Sequence, residues 1–291
     1  MTTQISIVGW GNIGKTISNY LEPRTDYAIS VYDNQKSVRE QAKQSFRVAS
    51  KLDSTITDSQ FVFLCLPTYR RSDYNSYSEE YTYDIVFDTI REIKDYLQTD
   101  QYIITTATAM PGYSQRISKL LMPYHKNYVY MPLFARESNM QEDFANLYPL
   151  NRLILGLHSQ LIADYPDQFN KLKVDFIKMF STLLIKNKTE FVYTDYRTAE
   201  ETKVLDSLHL MVRITLSNLF NSSKANELVK LDQRLGNYGF DNGSSFGGRC
   251  LPNYLSALLN NKELMTSNSN LRELCLLIKK VNDEAKSSAR P

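Results

Sequence analysis

The stretch from Ile5 to Gly14 (Ile-Ser-Ile-Val-Gly-Trp-Gly-Asn-Ile-Gly) restricts the fold of this chain more than any other. Ile5, Ile7 and Val8 make an apolar run long enough for a buried parallel strand and too short for a helix. Gly9, Gly11 and Gly14 follow with the spacing G-x-G-x-x-G, and Lys15 to Leu21 reads as a helix. Gly9 permits the tight turn, Gly11 lets backbone approach a pyrophosphate, and Gly14 lets the helix pack close to the strand. Asn12 and Ile13, in the turn before that helix, are expected beside the cofactor with them, and the free N–H groups of the helix N-terminus favour its phosphates.

A second β-like run, Tyr27 to Tyr32, ends in Asp33, 19 residues beyond Gly14. A carboxylate there accepts hydrogen bonds from a ribose 2′-OH and repels a 2′-phosphate, so NAD is expected in preference to NADP. The same residues also suit a glycine turn in another α/β protein, with Asp33 capping a helix. The joint strand, turn, helix and acid favour the dinucleotide.

The chain of 291 residues can bury a core of one large or two ordinary domains. Its 34 basic and 32 acidic residues leave a net charge of +2, which gives no reason to expect a nucleic-acid partner. No apolar run approaches the length of a membrane span, and Met1 to Gln4 leads straight into the first strand, so neither a span nor a signal peptide is expected. Cys65, Cys250 and Cys275 are odd in number and widely spaced, which fits a reducing, cytoplasmic setting. His125, His158 and His209 lack ligand spacing and no C-x-x-C occurs, so no metal site is expected.

Beyond Asp33 come a helical stretch, Gln35 to Gln44, and an apolar strand, Ser59 to Leu66, closed by Pro67 and Thr68. Cys65 in that run reads as a small buried hydrophobe. The Tyr-, Ser- and Arg-dense segment Tyr69 to Tyr83 reads as an exposed loop, either a solvated connection or a lid. Asp84 to Leu97 has helical periodicity, Tyr102 to Thr106 is a strand, and Ser114 to Leu121 is a helix. Asn127 to Met131, Arg152 to Leu157 and Phe191 to Thr194 complete the strands. This alternation predicts a Rossmann-type, doubly wound, mostly parallel α/β sheet over residues 1–195.

From Thr198 to Phe220 there is neither Gly nor Pro, and Leu205, Leu208, Met211, Val212, Leu216 and Leu219 recur at helical spacing. The expectation is a spine of about 34 Å, joining the first domain to an all-α domain over 196–291 or to a second subunit. Asn221 to Leu235 and Tyr254 to Leu259 continue as helix, separated by a glycine-rich loop, Gly236 to Cys250. Leu271 to Val281 is the last expected helix and Asn282 to Pro291 a frayed tail.

Several ordered motifs together resemble the UDP-glucose/GDP-mannose dehydrogenase family, NAD-dependent enzymes that oxidise a sugar-nucleotide C6 alcohol to a carboxylate in two hydride transfers. They are the glycine fingerprint, Leu66-Pro67-Thr68, and Thr108 ahead of Pro111-Gly112. Met131-Pro-Leu-Phe-Ala-Arg-Glu-Ser138 resembles N-P-E-F-L-R-E-G, and Ala199-Glu-Glu-Thr-Lys203 resembles A-E-x-x-K. Phe246-Gly-Gly-Arg-Cys-Leu-Pro252 resembles F-G-G-x-C-x-P.

The resemblance implies Cys250 as covalent nucleophile, Lys203 as oxyanion stabiliser or base, and Thr108 and Glu137 near the sugar and the catalytic water. A free thiol is mostly protonated at neutral pH, so such a site must activate Cys250. The resemblance also implies Pro67, Thr68 and Thr108 beside the cofactor. It implies Phe134, Arg136, Ser207, Phe246, Gly247 and Gly248 around the substrate, and an Arg234 that reaches it across a homodimer interface. From the residues alone, Lys203 could instead pair with Asp206, Cys250 could be packing, and Arg234 could be a surface arginine.

Three positions that carry chemistry in the family are changed, and a fourth lies beside one of them. Leu133 stands for a glutamate, Ser207 for an asparagine, and Tyr254 for an aspartate, with Asn253 for the lysine before it. These changes fall on water activation more than on hydride transfer or the thiol. In the family a third, nucleotide-sugar-holding domain follows, so the chain resembles a shortened member. An NAD-dependent oxidoreductase of a sugar nucleotide is therefore expected. A catalytically impaired NAD-binding sensor or assembly protein is the alternative, and a dehydrogenase of a smaller hydroxy acid that uses Lys203 as base is a third possibility.

Overall fold

Apolar runs with no polar interruption bury both faces, and here they lie side by side in one sheet. The computed structural model describes residues 2–68, 82–148, 150–236, 238–241, 243–247 and 250–288. The segment expected as a loop or lid therefore lies outside the described residues, apart from Thr82 and Tyr83. The chain divides into two compact units, one of Met1–Thr68 and Tyr83–Glu201, the other containing Thr202–Pro291.

The first unit opens with β1 (Thr3–Val8), α1 (Asn12–Leu21), β2 (Tyr27–Tyr32), α2 (Lys36–Ala42) and β3 (Arg47–Val48). It continues with α3 (Asp53–Ile56), β4 (Phe61–Leu64), α4 (Asp84–Ile93), β5 (Tyr102–Thr105), α5 (Tyr113–Leu120) and β6 (Tyr128–Tyr130). Then come α6 (Met140–Ala145), β7 (Leu153–Leu157), α7 (Ser159–Asp164), α8 (Pro166–Lys186) and β8 (Phe191–Asp195). The strand order is β3-β2-β1-β4-β5-β6-β7-β8. All pairs are parallel except β6 with β7. This is the expected Rossmann-type arrangement.

Register decides where the loops emerge. Val8 pairs with Tyr32 and Leu64, Leu64 with Thr105, and Thr105 with Tyr130, so five carboxyl ends lie in one row. Alternate strand residues feed opposite faces. Ile5, Ile7, Phe61, Phe63 and Ile104 pack with Ile17 of α1 and Phe176 of α8. Val8, Val62, Leu64 and Ile103 pack with Val86 and Ile90 of α4 and Ile117 of α5. Each such fully buried aliphatic or aromatic side chain contributes roughly 1.5–3 kcal/mol.

The sequence pattern does not anticipate α8. Its inner face is buried, but Val174, Ile177 and Ile185 are 64%, 47% and 78% exposed, which blurs the amphipathic contrast. Phe180 breaks its helical backbone (φ −103°, ψ 15°). The Arg24 guanidinium donates to the freed carbonyls of Lys178 and Met179 at 3.1 and 3.0 Å.

In the second unit the spine α9 (Tyr196–Phe220) is longer than expected at its start, and the division between units falls inside it, after Glu201. It is followed by α10 (Ser223–Val229), α11 (Cys250–Asn260), α12 (Lys262–Ser267) and α13 (Ser269–Ser288). Two expectations need correction. Asn221 to Leu235 is helical only over α10, because Ser222 caps a new helix after Asn221 turns to positive φ. Asn282, expected in a frayed tail, lies inside α13 and is 1% exposed. Among the described residues no helix is long and apolar enough to cross a membrane.

Candidate active site

In the first unit the row of carboxyl ends carries the predicted cofactor residues. Gly9 takes φ +89°, and a Cβ on it would lie 2.6 Å from the Cys65 carbonyl oxygen. Only glycine suits that turn. Trp10 donates its backbone N–H to Asp33 Oδ2 at 2.9 Å, and Gln35 donates to Oδ1 at 2.9 Å. The carboxylate is thus fixed beside the glycine turn with lone pairs left for a diol. Nothing lies within 4 Å of a Cβ built on Gly11, at the start of α1, and no side chain caps that helix. An open, uncapped helix N-terminus beside a held carboxylate fits NAD. Asn12 and Ile13 form the first turn of α1, and Gly14 is buried against Gly9.

The loops after β4 and β5 join this row. Thr68 is buried, Pro67 exposed and Thr108 half-buried. Cys65 packs against the core, and burial pushes its thiol up to about 12. Beyond β6, Glu137 Oε1 stands 3.5 Å from Asn12 Nδ2, which brings the predicted carboxylate to the cofactor helix. Phe134 packs against the core. Arg136, predicted at the substrate, is held by Asp143 instead. Its backbone N–H, Nε and Nη2 all donate to that carboxylate at 2.7, 2.9 and 2.7 Å. The bonds from Arg136 hold Asp143 below the usual carboxylate range.

Glu200, quoted above only as part of a motif, is fully buried. Its two oxygens accept the N–H groups of Gly112 and Ser114 at 2.7 and 2.6 Å. It thereby caps α5, whose own N-cap glycine has no side chain to do so. Burial raises the Glu200 carboxyl above its ordinary value, against the lowering effect of these bonds.

In the second unit, Lys203 of α9 and Cys250 of α11 lie near enough to act on each other electrostatically. The side chain of Lys203 is 14% exposed, and Nζ lies 3.8 Å from Asp206 Oδ2 and 5.6 Å from the ring centre of Tyr254. Burial lowers the Lys203 ammonium below its ordinary value, while Asp206 and Cys250 oppose the shift electrostatically. Cys250 is exposed and begins α11, where the helix N-terminus favours a thiolate. Ser207, one turn beyond Lys203, is buried.

The glycine-rich loop is tied down from both sides. Phe246 donates its N–H to Asn282 Oδ1 at 2.7 Å and accepts from Asn282 Nδ2 at 3.2 Å. Ser217 and Asn218 of α9 donate to the carbonyls of Gly239 and Ser244 at 2.6 and 3.0 Å. Phe246 is buried and Gly247 exposed, while Gly248 lies outside the described residues. Arg234 is not part of the Lys203 group. Its side chain is 88% exposed and paired with Asp232 at 2.6 Å. Among the described residues no cluster of three or more His, Cys, Asp or Glu could hold a metal.

Sequence reasoning missed the hold of Trp10 on Asp33, the cap at Glu200 and the clamp at Asn282. The composition of a G-x-G-x-x-G motif leaves its x positions open. Buried polar residues at helical positions look like ordinary surface ones until their partners are known.

Comparison with known proteins agrees with this fold. Residues 26–168 match the NAD binding domain of the UDP-glucose/GDP-mannose dehydrogenase family. The chain is 28% identical over 186 residues to UDP-glucose 6-dehydrogenase of Rickettsia felis, covering 60% of this chain and 38% of that enzyme. A UDP-glucose dehydrogenase from Pyrobaculum islandicum superposes with TM-score 0.76 at 16% identity, over 98% of this chain and 68% of that one. Mycobacterium tuberculosis 3-hydroxyisobutyrate dehydrogenase shares the fold with TM-score 0.64 at 11% identity, over 99% and 94% of the two chains. The chain spans well under half the length of the Rickettsia relative. The cofactor is NAD, and over the matched residues the chain is similar to the UDP-glucose/GDP-mannose dehydrogenase family.

Proposed function

We propose that the chain is an NAD-dependent oxidoreductase acting on the primary alcohol of a nucleotide sugar, with Cys250 as covalent nucleophile. The observation that carries the proposal is the pairing of a buried amine, Lys203, with an exposed thiol at a helix start, Cys250. The names of its relatives supply the substrate class.

NAD, held by Gly9, Gly11, Asn12, Ile13, Gly14 and Asp33 with Pro67, Thr68 and Thr108 nearby, supplies the hydride acceptor. Lys203, whose ammonium burial makes more acidic than an ordinary lysine, accepts the hydroxyl proton in its neutral form. Protonated, it then stabilises the oxygen that gains charge as the Cys250 thiolate adds to the aldehyde carbon. Because only the neutral amine accepts the first proton, the rate of the first oxidation rises with pH through the Lys203 transition. Thr108 and Glu137 are assigned to the sugar and the attacking water. Phe134, Ser207, Phe246, Gly247 and Gly248 are assigned to the substrate. Arg136 and Arg234 are weaker members of that set, since both are engaged by carboxylates within the chain. The chemistry suits the reducing cytoplasm, where a free thiol survives.

The test is NADH absorbance on a panel of UDP- and GDP-sugars. The parent is expected to turn over one of them, and Cys250→Ala to lose complete oxidation by on the order of a thousandfold. Unchanged turnover in Cys250→Ala removes the thiol from the mechanism. Tight NAD binding with no turnover on any sugar favours a non-catalytic NAD-binding protein, which the departures at Leu133, Ser207 and Tyr254 would then explain.

The proposed active form is a homodimer. Leu205, His209, Val212, Leu216 and Leu219 recur on α9 at i, i+4, i+7, i+11 and i+14, the seam spacing of paired helices. Leu205, Leu216 and Leu219 are 55%, 50% and 51% exposed, more apolar surface than a lone helix face leaves to water. Light scattering is expected to give two chains per particle, and one chain for Leu216→Glu with Leu219→Glu. A monomeric parent overturns this.

A further inference from the structure

The spacing along α11 puts Cys250 and Tyr254 one turn apart, on the same face of the helix. Tyr254 is 2% exposed, and its ring centre lies 5.6 Å from Lys203 Nζ. Asp206, one turn along α9 from Lys203, has an oxygen 3.8 Å from the same nitrogen. Two features of quite different kind therefore attract one buried ammonium, a ring face and a carboxylate. His209 in turn acts electrostatically on Asp206, and Cys250 on Lys203.

We propose that Tyr254 is a positioning residue. Its ring face, together with Asp206, holds the Lys203 ammonium against the face of α11 that also carries Cys250, so that the thiolate of Cys250 is stabilised before any substrate arrives. The physical reasoning is electrostatic. A buried cation on a four-carbon stem swings toward water unless something at its tip replaces hydration. Asp206 supplies charge on one side, and the negative face of the ring supplies a second, directional attraction that costs no further buried charge. An ammonium held in this way lowers the free energy of a nearby thiolate, and the start of α11 adds to the same effect. The residue at position 254 thus acts through Lys203 and does not itself touch the reacting carbon.

This inference deepens the proposed role of Cys250 and rests on it for its meaning in catalysis, but its test does not need turnover. The probe is iodoacetamide, which alkylates the thiolate, applied to the full chain without NAD or sugar across a range of pH. Modification of the Cys250 peptide is followed by mass spectrometry. Burial pushes Cys65 up to about 12 and Cys275 up to about 11, so neither competes near neutral pH.

Tyr254→Phe, which keeps the ring, is expected to follow the parent. Tyr254→Leu is expected to slow alkylation at neutral pH by about fivefold, by moving the midpoint upward by about 0.7 pH unit. Lys203→Met is expected to slow it at least as much. Should Tyr254→Leu not fold, Tyr254→Met and Tyr254→Trp make the same comparison, without and with a ring. If the ringless variants keep the parent's profile, Tyr254 is only a core filler and the proposal is overturned. If the profile shifts as expected but no sugar is oxidised, the positioning stands and the catalytic reading fails. The two outcomes are therefore separable.

Discussion

Gly14→Ala is expected to lower the melting temperature of the chain by about 6–12 °C, the shift that corresponds to a loss of roughly 3 kcal/mol. A Cβ on Gly14 would stand 2.1 Å from the carbonyl oxygen of Gly9 and 3.1 Å from its carbonyl carbon. Those are backbone atoms of the turn itself, and no rotamer change can move them aside. Either α1 lifts away from β1 or the turn opens. Either response spoils the alignment of the helix N-terminus with Asp33, so NAD binding is expected to fall along with stability.

Gly11→Ala is the informative partner. Nothing lies within 4 Å of a Cβ at that position, and its φ of −76° and ψ of −161° suit any residue. The fold is expected to survive with a change of no more than about 1 kcal/mol, the cost of an alanine at an N-cap. The dissociation constant for NAD is nevertheless expected to rise at least about tenfold, since the methyl group enters the space that the pyrophosphate needs. Thermal melts and NAD titration of both variants separate the packing role from the binding role. An unaltered melt for Gly14→Ala, or unaltered NAD affinity for Gly11→Ala, contradicts the assignment.

Glu200→Ala is expected to cost about 3 kcal/mol, because it leaves the N–H groups of Gly112 and Ser114 without their acceptor in a buried place. Glu200→Gln is not a neutral replacement. An amide offers one oxygen and one NH₂ where two backbone donors need two acceptors, so one donor faces a donor. The pH dependence gives an independent signature. Burial raises the Glu200 carboxyl in the folded chain above its unfolded value. Between those two values the folded chain binds more protons than the unfolded one, so stability falls as pH rises through that window. The contribution is fully present below the unfolded value and lost above the folded one. Glu200→Gln is expected to remove this slope as well as to lower stability. Urea melts at several pH values between about 4 and 7 measure both. A variant as stable as the parent, with the slope intact, shows that α5 is capped by something else.

Much of the first unit was legible in the residues. β4 reads Phe-Val-Phe-Leu and β7 reads Leu-Ile-Leu-Gly-Leu, runs that only a doubly covered strand can bury. The glycine spacing named the turn and Asp33 named the second strand's end. The long α8 escaped because its outer face carries exposed Val and Ile, so its period is masked. The helical tail escaped for the opposite reason. From Asn282 onward α13 is mostly polar, and a single buried amide clamping Phe246 gives its composition no apolar signature.

The candidate residues divide in the same way. Arg136 fits a substrate motif by identity, yet Asp143, seven residues on and 2% exposed in its side chain, claims the guanidinium. Tyr254 reads from the sequence as a lost aspartate. The fold gives the position a different use, beneath an ammonium.

By itself, the sequence determined local matters: where the strands and most of the helices lie, and that a dinucleotide turn opens the chain. These follow from short-range sterics and from the period of apolar residues, which neighbours in sequence decide between them. Only the tertiary structure decided which charges are buried and which polar groups meet. Examples are Glu200 under α5, Asp143 against Arg136, Asn282 on Phe246, and Lys203 between Asp206 and Tyr254. The free energy of a charge depends on the dielectric and partners around it, and those are supplied by residues distant in the chain.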